Sequence, residues 1–567
     1  MAEMTCDVLV AGSGAAAFAA ALSARLAGRD VLMVEKEARF GGTTAYSAGV
    51  IWIPGSSHAR RAGIFDGPDA AMTYLEAIAG NRLDRARARM FVDNAATVLD
   101  VLEARTHVRY KLSPAWADYE PDLPGGSAGG RSLGPETFDG RRLGRQFDQL
   151  RAPIPSMTVL GGMMIGREDL PHIFRMTREA ASALHVARMG ARHLRDRLTH
   201  GRGTRLVNGN ALVAMLALSA KEHGIPLWLS SPLKRLVTRG GSVVGAVVQR
   251  AAGEVRIEAR QGVILACGGF PGDGAMRARH YGHVAKGAEH QPLAPATNTG
   301  DGIKLAEAVG GAFNADVHHP AAWTPVSLLP QADGSTIPFP HFIDRGKPGV
   351  ISVDRRGRRF VNEAKSYHVF VPALIEACRG DARIECWNVA DARAIRRFGL
   401  GAAPPRPGRL APFIASGYLV EGRSLAELAA KAGIDAAGLE ATIAAFNTGA
   451  VRGEDAQFGR GGDAYQRFNG WAENHPNPSL APLADPPFYA VRMIPGDIGT
   501  FAGLAVDATS RVLDRSGAPV GGLWAVGNDA KSVMGGTYPG GGITLGPALT
   551  FGWLAGRSIA GTELRPR

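Results

Sequence analysis

Three small residues and an acid are the first groups in this chain whose types and spacing could do chemistry. Gly12, Gly14 and Ala17 stand in Gly12-Ser13-Gly14-Ala15-Ala16-Ala17, and Glu35 follows, close to the roughly 20-residue offset of a dinucleotide fingerprint. Gly12 permits a tight turn. Gly14 has no Cβ, so a pyrophosphate can reach the free N–H groups of a helix N-terminus. Ala17 allows close helix–sheet packing, and Glu35 can accept hydrogen bonds from a ribose diol. The context suits this reading. Residues 6–10 read as a buried parallel strand, an Ala-rich helix runs to about Ala27, and residues 30–34 form a second strand ending at Glu35. A purely structural glycine turn is the alternative, and the βαβ setting disfavours it. The fingerprint by itself does not separate FAD from NAD.

The elements that must position such a site set wider bounds. At 567 residues the chain calls for two domains, one of them discontinuous. The 74 glycines fall in short clusters beside apolar runs, as in an α/β protein whose backbone closely approaches a bulky ligand. The net charge is +12, carried largely by arginine. There are no blocks of like charge and no aromatic-plus-basic module, so no nucleic-acid partner is expected. Cys6, Cys267, Cys378 and Cys386 form no C-x-x-C pair and have no His neighbours at zinc spacing, so neither a metal site nor a disulfide framework is expected. No signal peptide and no run of about 20 apolar residues is visible. A cytoplasmic protein is expected.

The continuation, Lys36 to Pro54, contains Gly41-Gly42-Thr43-Thr44-Ala45-Tyr46-Ser47-Ala48-Gly49. It resembles the flavoprotein subunits of fumarate reductases and the 3-ketosteroid dehydrogenases, in which a glycine pair and Thr-x-x-Ser-x-Gly lie along the flavin. The resemblance implies an α/β fold with a discontinuous Rossmann-like FAD-binding domain over 1–325 and 495–567, and a smaller α+β catalytic cap over 326–494. It implies FAD contacts at Gly12 to Ala17, Glu35, Lys36, Gly41 to Thr44 and Ser47 to Gly49. Further contacts are implied at Ala266 and Gly268, at Asn298, Gly300 and Asp301, at Gly527, Asn528 and Asp529, and at Gly542, Ile543 and Leu545. Asp529 is expected on the ribityl chain. No His stands in residues 41–54, so FAD is expected to be non-covalent. Residues 155–205 look like an insertion. Within it, residues 170–198 read as one helix with apolar side chains among six arginines. Such a helix either packs on the body or rests on a membrane surface. Residues 424–446 read as another helix.

Tyr119, Tyr367 and Tyr538 lie in stretches similar to those of 3-ketosteroid Δ1-dehydrogenases. By that resemblance Tyr538 O–H and the Gly542 N–H stabilise a ketone oxygen as it gains charge. Tyr367 removes the α-proton, with Tyr119 hydrogen-bonded to it, and the hydride passes to flavin N5. The implied substrate is a steroid ketone that gains a C1–C2 double bond. The electron acceptor is not readable. Three alternatives stand beside this reading: Δ4-dehydrogenation, a bile-acid ketone substrate, and fumarate-reductase-like enone reduction. Dicarboxylate reductases need cationic clamps where phenols stand here, which argues against succinate and fumarate. His368 is an alternative acid or base; the plainer duty is walling the flavin ring for Tyr538 and packing alone for Tyr367 and Tyr119. A flavin-binding protein without turnover is the reading outside enzymology.

Overall fold

The computed structural model describes residues 2–563. Residues 1 and 564–567, at the two ends of the expected FAD-binding segments, lie outside the described residues. The chain begins with β1 (Ala2–Ala11), α1 (Ala15–Leu26) and β2 (Val31–Val34). β1 and β2 pair in parallel, with Val8 opposite Val31 and Ala11 opposite Val34. Valine-rich strands buried on both faces are what a parallel sheet requires. The alanines of α1 are almost all buried, because a helix without bulk can be covered on both sides.

The stretch expected as an insertion follows. Residues 170–198 form two helices rather than one, α2 (Leu170–Arg175) and α3 (Ala180–His200). The break falls at residues 176–179, where Glu179 is extended and its carboxylate accepts from Ser182 Oγ at 2.9 Å. The fold-back stacks His172 on His185 and frees Phe174 to pack edge-on against Phe398 and Trp471.

β3 (Leu227–Trp228), β4 (Leu233–Arg239), β5 (Ser242–Arg250) and β6 (Gly253–Leu265) extend the first sheet in the order β3-β2-β1-β6-β5-β4. The chain then enters β7 (Gln291–Pro292), α4 (Asp301–Glu307), β8 (Ala321–Pro330), β9 (Thr336–Pro340), β10 (Val350–Val353), α5 (Tyr367–Ala377), β11 (Cys386–Ala390) and β12 (Val420–Gly422). α6 (Leu425–Ala432) and α7 (Ala436–Ala450) replace the single helix expected over 424–446. Gly433 breaks it with φ +71°, and Asp435 caps the second piece. β13 (Phe488–Thr500) is the axis of a seven-stranded second sheet, order β9-β8-β13-β11-β10, with β7 and β12 also on β13. The strands of this sheet run from Gln291 to Thr500, a wider span than 326–494. The first sheet is then completed by β14 (Arg511–Leu513) and β15 (Pro519–Ala525), the latter parallel to the end of β6. The last helix, α8 (Leu545–Ile559), lies on α1. A Cβ added at Gly552 or Gly556 would stand 2.4 Å from the carbonyl oxygens of Ala16 and Ala20 respectively.

Candidate active site

A cavity of about 930 Å³ takes its walls from the edge of the first sheet, the insertion and the second sheet. Its cofactor end is built from backbone. Gly12 has φ +112°, and a Cβ there would stand 2.2 Å from Ala266 O, so only glycine lets these two loops cross. Gly14 caps α1 without a side chain, and no acid stands in the helix's first turn. The positive end of α1 therefore faces the cavity, a ready site for an anion. One first-turn amide, Ala15 N–H, donates to Thr44 Oγ1 at 3.0 Å. Glu35, at the end of β2, accepts from Ser13 Oγ at 2.5 Å and from Glu37 N at 3.0 Å. Burial raises its pKa, partly offset by those bonds. This pattern fits the pyrophosphate and ribose of a dinucleotide.

Of the residues expected at the cofactor, Gly12 to Ala16, Glu35, Lys36, Gly42 to Thr44, Ser47 to Gly49, Ala266, Gly268, Asn298, Asp301, Gly527, Asn528, Gly542 and Leu545 line this cavity. Five do not, and each has a physical reason. Ala17 is fully buried inside the core. Gly41, at φ +120°, makes the turn that presents Gly42, and a Cβ on it would meet Val213 and Ala45. Gly300 caps α4 in a left-handed conformation and donates to Gly269 O at 2.9 Å. Ile543 is buried in the core. Asp529, expected on the ribityl chain, is fully buried behind the cavity, where its carboxylate accepts from Cys267 N at 2.6 Å and Gly269 N at 2.9 Å. It shapes the turn that touches the cofactor space from behind.

The other end of the cavity gathers the three tyrosines. Tyr119 Oη–H donates to Tyr367 Oη at 3.0 Å. Tyr119 stacks on Tyr538 with centroids 5.4 Å apart, and Tyr367 meets Tyr538 edge-on at 5.2 Å. They come from three distant places. Tyr367 is the first residue of α5. Tyr119 sits in a loop pinned by Asp118, which accepts from Trp52 Nε1 at 2.7 Å and from Arg131 Nη1 at 2.8 Å. Tyr538 lies in the glycine loop before α8, fastened by Tyr119 N–H and Tyr74 Oη–H, which both donate to Pro539 O at 2.8 and 2.7 Å. That loop holds Gly542 at φ +99°, where a Cβ would stand 2.4 Å from Ile51 C. Gly542 O accepts from Trp52 N and Gly546 N. Among the described residues no acceptor meets the Gly542 N–H, and the residue lines the cavity.

Burial, then the neighbouring phenols, hold Tyr367 well above the ordinary tyrosine range. Tyr119 is raised in the same way. Tyr538 is pushed up to about 12 by burial, offset in part by the Tyr367 and Thr544 hydroxyls. His368 is not part of the cavity wall: its ring lies 5.6 Å from that of Tyr538, its Nδ1 accepts from Trp323 N at 3.2 Å, and burial holds its pKa well below the usual value. Sequence reading missed Tyr465, whose ring lies 4.6 Å from that of Tyr119, as well as Trp116, Phe342 and Arg167. Trp116 stands three residues before Tyr119 and could have been found from that neighbourhood. The others carry no motif.

A cavity with a dinucleotide-shaped backbone cradle at one end and clustered phenols at the other defines a flavin-dependent oxidoreductase. The chain belongs to the FAD binding domain family, whose model matches residues 7–545. It is an FAD-dependent dehydrogenase. Among its relatives is 4-oxocyclohex-2-ene-1-carboxylate 5-dehydrogenase of Sinomonas cyclohexanicum, 42% identical over 98% of this chain and 94% of that protein. Another is 3-oxosteroid 1-dehydrogenase of Mycobacterium tuberculosis, 35% identical over 98% of both chains. Among solved structures, 3-ketosteroid Δ1-dehydrogenase of Sterolibacterium denitrificans, in complex with 1,4-androstadiene-3,17-dione, superposes with a TM-score of 0.89. It is 34% identical and covers 99% of this chain and 100% of that one.

Proposed function

We propose that this enzyme removes two hydrogens from adjacent ring carbons next to a ketone. The observation that carries the reading is the meeting of three phenols and an unpartnered Gly542 N–H in one cavity with the FAD cradle. In this reading Tyr538 O–H and Gly542 N–H donate to the ketone oxygen as it gains charge, which makes the α-proton labile. Tyr367 takes that proton. Once Tyr367 is ionised, Tyr119 Oη–H stabilises its phenolate, and the N-terminus of α5 adds a favourable dipole. FAD held by the backbone cradle would supply the acceptor for the hydride that leaves the β-carbon. No histidine lines the cavity among the described residues. The product is an enone two hydrogens lighter.

A 3-ketosteroid gaining a C1–C2 double bond is one substrate class for this chemistry, supported by the likeness to the steroid dehydrogenases. A monocyclic oxo-acid is the other, supported by the Sinomonas relative. Exposed leucines on α3, together with its arginines, support peripheral contact with an anionic membrane. The deciding experiment is anaerobic mixing of the purified holoenzyme with androst-4-ene-3,17-dione and, separately, with 4-oxocyclohexanecarboxylate. Flavin absorbance and product mass are followed. Bleaching with a product two hydrogens lighter supports ring-ketone dehydrogenation, and NMR places the double bond. Absence of bleaching with both overturns it.

A further inference from the structure

Arg167 has no counterpart in the chemistry described so far. It stands at the start of a short turn in the insertion and lines the cavity. Its guanidinium is clamped between two rings, with Cζ 3.9 Å from the Trp116 centroid and 4.4 Å from that of Phe468. Only Nη2 makes a hydrogen bond, to Asn469 Oδ1 at 3.3 Å. Among the described residues no carboxylate pairs with it: its neighbours Glu168 and Asp169 are engaged by Lys111, Arg205 and His185. A second cation lies behind the same wall. Lys347 Nζ donates only to Asn469 O and Gly470 O, at 2.7 and 2.8 Å, and burial lowers its pKa to about 7. Asp344, another acid in the cavity lining, is held by His341 Nδ1 at 2.6 Å.

Arg167 is half-buried against these rings, and a partly desolvated cation without a counter-ion gains when an anion meets it. A guanidinium fixed between two aromatic faces keeps its N–H edge free, and that edge matches a carboxylate in two parallel bonds. We propose that Arg167 binds a carboxylate on the substrate, so that the enzyme acts on a monocyclic ketone carrying a carboxylate across the ring. Trp116 connects the two ends of this space: a Cβ on Gly541 would stand 2.8 Å from its Cζ2, and the same indole carries the Arg167 guanidinium. A single ring keeps a carboxylate close to its ketone, whereas a keto-steroid with a side-chain acid places it several rings further away.

This inference rests on the ring-ketone reading, and the test separates the two. The probes are 4-oxocyclohexanecarboxylate, its methyl ester and a 3-oxo bile acid. Binding is read from perturbation of the flavin spectrum and turnover from anaerobic bleaching, in the wild-type holoenzyme, Arg167→Gln and Arg167→Lys. The wild type is expected to favour the small acid over its ester and over the bile acid. The acid-to-ester ratio of kcat/KM should fall on the order of 50-fold in Arg167→Gln, mainly through KM and the spectral Kd, with partial recovery in Arg167→Lys. Equal losses for acid and ester, or a wild type indifferent to the carboxylate, overturn the assignment. The wild-type comparison decides this even if a variant fails to fold. Bleaching without an Arg167-dependent preference removes this inference and leaves ring-ketone dehydrogenation standing. Arg167-dependent binding of the acid without bleaching does the reverse.

Discussion

The phenol cluster makes the site's pH behaviour readable at single residues. Tyr367 is held well above the ordinary tyrosine range, by burial first and then by Tyr119 and Tyr538. A base with a raised pKa is mostly protonated at neutral pH, and its active fraction grows about tenfold per pH unit below that pKa. kcat/KM is therefore expected to climb from pH 7 toward pH 10 without a plateau. A flat profile would count against a tyrosinate base. Tyr367→Phe is expected to lower kcat by roughly 10²–10⁴-fold, and Tyr538→Phe by roughly 10²–10³-fold, both with FAD retained. Steady-state kinetics alongside the flavin spectrum checks this. Normal turnover in Tyr367→Phe would move the base to another group.

Two short loops shape the two ends of the cavity, one through backbone that tolerates no side chain and one through a buried carboxylate. Gly542 combines φ +99° with a Cβ position 2.4 Å from Ile51 C and 2.6 Å from Trp52 N. Both obstacles are backbone and cannot rotate aside. Gly542→Ala is expected to cost ~3 kcal/mol and to displace the free N–H. Melting temperature and kcat should fall together, and an unchanged melting temperature would contradict the contact. At the opposite end, Asp529 supports the turn after β6 with two backbone hydrogen bonds. Asp529→Asn leaves one of those amides facing an NH₂ group, a loss of about 1–3 kcal/mol. Weaker FAD retention is expected, measured as faster release on dilution by flavin fluorescence. Unaltered release would mean that the turn does not depend on this carboxylate.

At the scale of the molecule, the insertion is where structure and ordinary packing part. α3 buries Ser182, His193 and Asp196 while leaving Leu184, Leu194 and Leu198 exposed, the last at 89%. Val159 and Leu160 of the preceding turn are also exposed, and Met157 and Val159 reach the cavity wall. An apolar face ringed by arginines suits an anionic bilayer surface. No helix among the described residues is long and apolar enough to cross a membrane. The holoenzyme is expected to co-sediment with phosphatidylglycerol vesicles at low salt, and a Leu194→Ser/Leu198→Ser variant to lose most of that binding. Wild type left in the supernatant at low salt would remove the membrane reading.

The βαβ unit and the dinucleotide class of its cofactor were legible in the sequence because their determinants are local, while FAD in particular was read from likeness. A turn that only glycine can make, a helix N-terminus without an acid and a strand ending in Glu35 all lie within one short stretch. The tyrosines could be singled out only by likeness, since their meeting depends on chain pairs such as Tyr119 and Tyr367, 248 positions apart. Helix continuity was overread at residues 176–179 and at Gly433, where a tertiary partner for Phe174 and a left-handed glycine override apolar periodicity. Asp529 stands in the expected motif, but only the fold shows that both of its oxygens are taken by backbone amides. Arg167 belongs wholly to the tertiary structure. In the sequence it is one of many arginines, and what sets it apart is the pair of rings and the absent carboxylate that only folding brings around it.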